Sequence, residues 1–154
     1  MVVLSLAALF FAVRERRRVV KHWHLLLPGL FALAASVAMV AFPRVSDLWE
    51  PQRVIVAMLA LLVGAARGRF MKLASDRIFK VAHLRNPVDS TVVAAVQAVF
   101  AALDMALDFM ARGLTPLTSP IELLQIAAAA YLLGRSVTLW MHVRTSTHID
   151  LIAR

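Results

Sequence analysis

The sequence predicts an all-α protein, a polytopic bundle of about five transmembrane helices in one membrane domain. Three observations predict it. Of the 154 residues, 61% are hydrophobic and mean hydropathy is +0.77, more apolar side chain than a water-soluble domain of this length buries. The apolar residues gather into runs separated by short clusters of Arg and Lys. Pro43, Pro51, Pro87, Pro116 and Pro120 stand at the breaks between runs, where helix punctuation belongs.

The first run, residues 1–13, covers only about 20 Å at a rise of about 1.5 Å per residue, against a hydrocarbon core of about 30 Å. It crosses only if Arg14 and Arg16 snorkel or the bilayer thins locally. Its basic cluster follows the apolar stretch instead of preceding it, so it reads as a retained segment and not as a signal peptide. The second run is 25–42, with Pro28 tolerated in its first turns. The third is 48–66, with Pro51 near its start, where a missing N–H costs little. The fourth and fifth are 91–111 and 121–143.

Charge then assigns the sides. Arg14, Arg16, Arg17, Arg18 and Lys21 separate the first two runs. Arg67, Arg69, Lys72, Arg77, Lys80 and Arg85 lie in the hydrophilic loop 67–90, and Arg144 and Arg154 follow the last run. With five crossings these thirteen share one face, and the other holds Arg44, Arg53 and Arg112. The bias places the N-terminus outside and the C-terminus and loop in the cytoplasm, as in a bacterial inner-membrane protein. Trp23 and Trp140 fall at the inner boundary and Trp49 at the outer one, the depth amphipathic rings prefer. The formal charge of +8 is accounted for by this bias, so nucleic acid is not an expected partner; membrane lipids are. Within the loop, Ser75-Asp76-Arg77 reads as a turn between 70–74 and 78–84 of a short hairpin. An amphipathic interfacial helix using Phe70, Ala74, Ile78 and Val81 fits the same residues. Either would set Lys and Arg against anionic headgroups.

Polar residues inside the runs need a reason, because a charge at mid-bilayer costs about 2.5–3.5 kcal/mol. They are Gln97, Asp104, Asp108 and Arg135. Measured from the outer ends of their helices, Asp104 lies about 10 Å deep and Arg135 about 21 Å, so a direct pair is out of reach. Gln97 lies at about the depth of Arg135 and is the expected contact, although Arg135 can also snorkel inward. Asp104, Asp108 and Arg112 share one face of the fourth helix at i, i+4, i+8 spacing, and Arg53 lies at similar depth. That face reads first as a polar seam docking helices, then as an ion or proton path using Asp104. Small residues mark packing: Ala60, Gly64 and Gly68 on the third helix, Ala94, Ala98, Ala102 and Ala106 on the fourth. The alanine ridge is about 200° from the aspartates, which predicts two contact faces on the fourth helix.

Chemistry is less legible. The absence of cysteine excludes disulfides, thiolate nucleophiles and thiol relays by this chain. No Ser-His-Asp set, phosphate loop or HExxH is present, and no metal-ligand spacing occurs. His22, His24, His83, His142 and His148 all fall on the inner side; His24 and His142, at matching depth, are the candidates for contacting a haem or pigment, although no cofactor is expected.

The order of elements resembles the CcdC-like family of small bacterial integral membrane proteins. The likeness rests on a short first span, a basic link, Leu25-Leu26-Leu27-Pro28-Gly29-Leu30 opening a span that ends in Phe42-Pro43, a basic hairpin-like inner loop, and the last-span motif Gly134-Arg135-Ser136-Val137-Thr138-Leu139-Trp140-Met141-His142-Val143-Arg144. That family has no established activity, and its name reflects proximity to cytochrome c maturation; a cysteine-free chain would take part there only as a scaffold. The expected function is a non-enzymatic accessory or scaffold subunit of an inner-membrane complex, with other membrane subunits as partners. The alternatives are a small ion- or proton-coupled transporter using Asp104 and Asp108, and a haem- or pigment-contacting subunit of an electron-transfer or photosynthetic complex.

Overall fold

The computed structural model describes residues 2–15, 20–41, 51–71, 73–76, 81–84, 88–110 and 118–145. Five α-helices dominate it: α1 (Val2–Arg14), α2 (Leu27–Ala41), α3 (Pro51–Phe70), α4 (Val88–Met110) and α5 (Thr118–Thr145). Each overlaps one of the apolar runs. A 3₁₀ segment, His22–Leu26, leads into α2. Two stretches, Val88–Ala106 and Pro120–Thr145, are long and apolar enough to cross a membrane; α1 and His22–Ala38 are shorter apolar helices.

The central element is α5. It packs against α3, α2 and α4, while α1 fills the angle between α2 and α4. Most of its middle, from Gln125 to Leu139, is buried, and its sequence favours no single face, as expected of a helix enclosed all round. The outer helices show the opposite asymmetry. On α3 the pairs Val54/Ile55, Met58/Leu59 and Leu62/Val63 recur every four residues, all exposed. On α4 Val92, Val96, Val99 and Leu103 form a similar outward stripe, and on α1 Val3, Leu6, Phe10 and Val13 do. Inside, by contrast, lie Glu15, Gln97, Gln125 and Arg135.

The inward contacts are built from small side chains. Ala8, Ala12, Ala32, Ala94 and Ala129 gather with Leu132 in one buried cluster where α1, α2, α4 and α5 meet. The α3–α5 contact is closer still. A Cβ at Gly64 would overlap the Tyr131 backbone, one at Gly134 would overlap the Leu61 carbonyl, and one at Gly68 would stand 2.8 Å from the Arg135 carbonyl oxygen. Only hydrogen at these positions lets the two backbones touch. Gly64 and Gly68 therefore pack inside the chain, as their spacing predicts, with Ala60 half-buried on the same helix. Gly134 supplies the reciprocal contact from α5.

The fourth helix departs from expectation. Ala94 and Ala98 are buried, but Ala102 and Ala106 are exposed, and the inward face continues instead through Ala101 to Asp104. The reason is angular: a four-residue step turns a helix about 40° beyond a full revolution, so twelve residues carry the ridge about 120° round. Ala94, Ala98, Ala101 and Asp104 thus share one buried face, where two separate contact faces were expected.

The hairpin forms, and the interfacial helix does not. Strands β2 (Leu73–Asp76) and β3 (Val81–Leu84) pair antiparallel, with Ser75 opposite Ala82 and Asp76 opposite Val81. Ser75 and Asp76 are thus strand residues and not part of a turn. Ala82 sets this register: it is fully buried with Leu25, Met71, Leu139 and Val143, and a one-residue slip would turn it outward. A third strand, β1 (Val20–Lys21), pairs with the other edge of β3, which the sequence did not suggest. Phe70 ends α3 and is exposed. The sheet covers one end of the bundle, where α1, α3 and α5 finish and α2 and α4 begin.

Candidate functional site: a buried charge cluster

Just inside the sheet end, four helices converge on Arg135. It sits in α5 with no exposed surface, in a sequence whose neighbours are apolar or small because α5 is enclosed. Its guanidinium Nη1 donates to Glu15 Oε2 at 2.9 Å, and its Nε lies 3.4 Å from Asp89 Oδ2. Glu15 is the turn residue that closes α1, its own N–H donating to the Phe11 carbonyl. Asp89 stands in the first turn of α4, where a carboxylate suits the helix N-terminus. Ser90 donates to Glu15 Oε2 at 3.0 Å; Arg67 from α3 and Tyr131 from α5 donate to Asp89 Oδ2 at 3.1 and 3.2 Å. The cluster therefore ties α1, α3, α4 and α5 at one level.

Its electrostatics are finely balanced. Glu15 is 1% exposed, and burial pushes its carboxyl above the ordinary range, against the pull of Arg135 and the Ser90 hydroxyl. Glu15 Oε1, Asp89 Oδ1 and Arg135 Nη2 are buried with no hydrogen-bond partner among the described residues. A buried pair of this kind contributes little net stability, but removing one member strands the other in a dry interior.

A second polar seam runs deeper. Gln97 Nε2 donates to the Ala32 carbonyl at 3.0 Å and approaches Ser36 Oγ at 3.5 Å, and Ser36 donates to the Gln125 carbonyl at 3.2 Å. The expected Gln97–Arg135 contact is absent: Gln97 turns to α2, and the long arginine side chain reaches instead towards the sheet end, where two carboxylates wait. Asp104 is buried, 5% exposed, and engaged in an interaction of its own. At the end opposite the sheet, Arg53 of α3 binds Glu122 of α5 at 2.8 Å. The Asp108–Arg112 pair, Trp49 and His148 lie outside the described residues, as do the side chains of Asp108 and His83.

The two candidate haem histidines have separate surroundings. His24 lies edge-on to Trp23, 4.1 Å between centroids, and to Phe11. His142 lines a cavity between α3 and α5 with Arg69, Thr138, Met141 and Thr145. Among the described residues no three of His, Asp and Glu gather as a metal-binding group.

Glu15 and Asp89 are the members of this cluster that sequence reasoning missed. Glu15 hides in the basic run Arg14-Glu15-Arg16, where it reads as a solvated linker residue. The available signal was depth counted from the inner end: Arg135 is about nine residues, or about 13 Å, from Arg144, so the first residues of α4 and the last of α1 were within reach. A scan of protein-family models finds no match to this chain, and comparison with curated proteins and with solved structures finds none either.

Proposed function

We infer that this chain is a multi-pass membrane protein, N-terminus outside and sheet end in the cytoplasm, serving as a non-enzymatic accessory or scaffold subunit of an inner-membrane complex. The observation that carries this reading is the inverted polarity of the bundle: apolar stripes face outward on α1, α3 and α4 while Arg135, Glu15, Gln97 and Gln125 are enclosed. Arg135 and Glu15 pair with each other and Gln97 bonds α2, so the working surface of the protein is its apolar exterior and its basic sheet end. Described basic residues at that end are Arg14, Lys21, Arg67, Arg69 and Arg144, against Arg53 at the other. The orientation follows from that asymmetry. The order of elements fits the CcdC-like resemblance.

The test is purification from native membranes in mild detergent, with mass spectrometry and an absorption spectrum on the same peak. Co-elution with other membrane subunits is the expected result. A monodisperse, partner-free, colourless monomer would remove the scaffold reading, and a Soret or pigment band would replace it with the cofactor-contacting one.

A second reading, proton- or ion-coupled transport, is favoured by the burial of Asp104 within α4. Asp104→Asn would then abolish flux in reconstituted vesicles; unchanged flux would end that reading.

A further inference from the structure

We propose that the cavity between the ends of α3 and α5 binds the phosphate of an anionic membrane lipid, with Arg69 and His142 as its donors. This rests on the membrane reading above.

The cavity, about 420 Å³, lies at the sheet end of the bundle and is lined by Arg69, Thr138, Met141, His142 and Thr145. What distinguishes it is which hydrogen-bonding groups remain available. Thr138 Oγ1 donates to the Gly134 carbonyl at 2.8 Å. Thr145 Oγ1 approaches the carbonyls of Met141 at 3.1 Å and His142 at 3.3 Å. Both hydroxyl hydrogens are thus turned back into α5, and so are the backbone acceptors they reach. The lining residues left to serve an occupant are Arg69, which makes no hydrogen bond or ion pair among the described residues, and His142, whose buried Nδ1 has no partner among them. Among the described residues no carboxylate lines the wall. A space lined by a guanidinium and an imidazole, and by no carboxylate among the described residues, is matched by an oxygen-rich anion, and a guanidinium takes phosphate oxygens two at a time.

The position selects a lipid as the source. Trp140, one residue from Met141, carries Arg144 over its ring at 4.4 Å, the amphipathic arrangement of a membrane–water boundary. Met141 is more than half exposed at the rim, and the outward stripe of α3 runs on from the same end through Leu62 and Val63. A headgroup phosphate in the cavity leaves its acyl chains along that apolar surface.

The experiment is native mass spectrometry of the detergent-solubilised protein titrated with phosphatidylglycerol or phosphatidylcholine of identical chains. Wild-type protein should bind phosphatidylglycerol at least about tenfold more tightly than phosphatidylcholine, and Arg69→Gln should weaken the anionic lipid by about tenfold, as expected for loss of a charge-assisted fork. Arg69→Lys should retain part of the affinity. Lys21→Gln, elsewhere on the same face, should leave it unchanged. Equal binding of the two lipids, or an unaltered Arg69→Gln, overturns the site, as does an equal loss in Lys21→Gln, which would mark diffuse attraction to the basic face. Displacement of the lipid by millimolar inorganic phosphate would identify a free-phosphate site and overturn the lipid assignment. Failure to partition into membranes or retain either lipid would instead remove the membrane reading itself.

Discussion

The α3–α5 contact and the α1–α4–α5 contact join the same central helix by opposite means. The first is made by absence: Gly64, Gly68 and Gly134 let two backbones meet, and dispersion between closely packed chains does the rest. The second is made by charge: Arg135 bridges Glu15 and Asp89 across two helix interfaces, with Ser90 and Tyr131 closing the shell. Glycine contacts tolerate no added atom but carry no electrostatic debt. The charged contact tolerates shape change but not the loss of one partner. On the membrane reading proposed above there is little hydrophobic drive between helices, so each seam needs a device of its own.

Five substitutions would break or sharpen this contrast, each read by equilibrium unfolding in mixed micelles. The largest loss is expected for Arg135→Met, about 3–5 kcal/mol, because it leaves Glu15 and Asp89 facing each other without their shared cation. Gly64→Ala should cost about 3 kcal/mol, a single methyl forcing α3 from the Tyr131 backbone; a near-neutral result would mean that the two helices are not in backbone contact.

Glu15→Gln should cost less, about 1–2 kcal/mol, since it keeps the shape and one hydrogen bond to Arg135. It also has a pH signature. The folded Glu15 carboxyl lies above its ordinary value of 4.5, so the folded state holds the proton more tightly than the unfolded one. Wild-type stability should therefore fall as pH rises from about that ordinary value through the raised one. The Gln variant lacks this contribution, and the difference between the two profiles isolates it; parallel profiles would show that Arg135 fully offsets burial. Ala102→Leu, on the outward face of α4, should change stability by no more than about 0.5 kcal/mol. The same change at buried Ala98 should be far more damaging, which checks the rotation of the alanine ridge.

Much of the fold was legible in the chain. The five apolar runs became the five helices, the prolines fell at or beside their boundaries, and the Gly64/Gly68 repeat located the α3 contact. These are local signals, carried by residues three or four positions apart, and a helix enforces that spacing whatever surrounds it. The site was less legible. That Arg135 needed a counter-charge followed from its place in an apolar helix; which counter-charge did not. Glu15 is 120 positions away in sequence, in a link that reads as polar surface. The third strand was hidden for the same reason, since Val20–Lys21 has no strand pattern of its own and exists only as an edge for β3.

What the sequence by itself determined, then, is where helices run, which ends are basic and which positions are small enough for close packing, because each depends on composition and local period. Tertiary structure alone decided the partners: Glu15 and Asp89 for Arg135, Ala32 and Ser36 for Gln97, and the inward turn of Asp104 beside the alanines. Those choices depend on the rotation and height of each helix against its neighbours. A few tens of degrees or one turn exchange one partner for another, and nothing in a single helix's sequence records that setting.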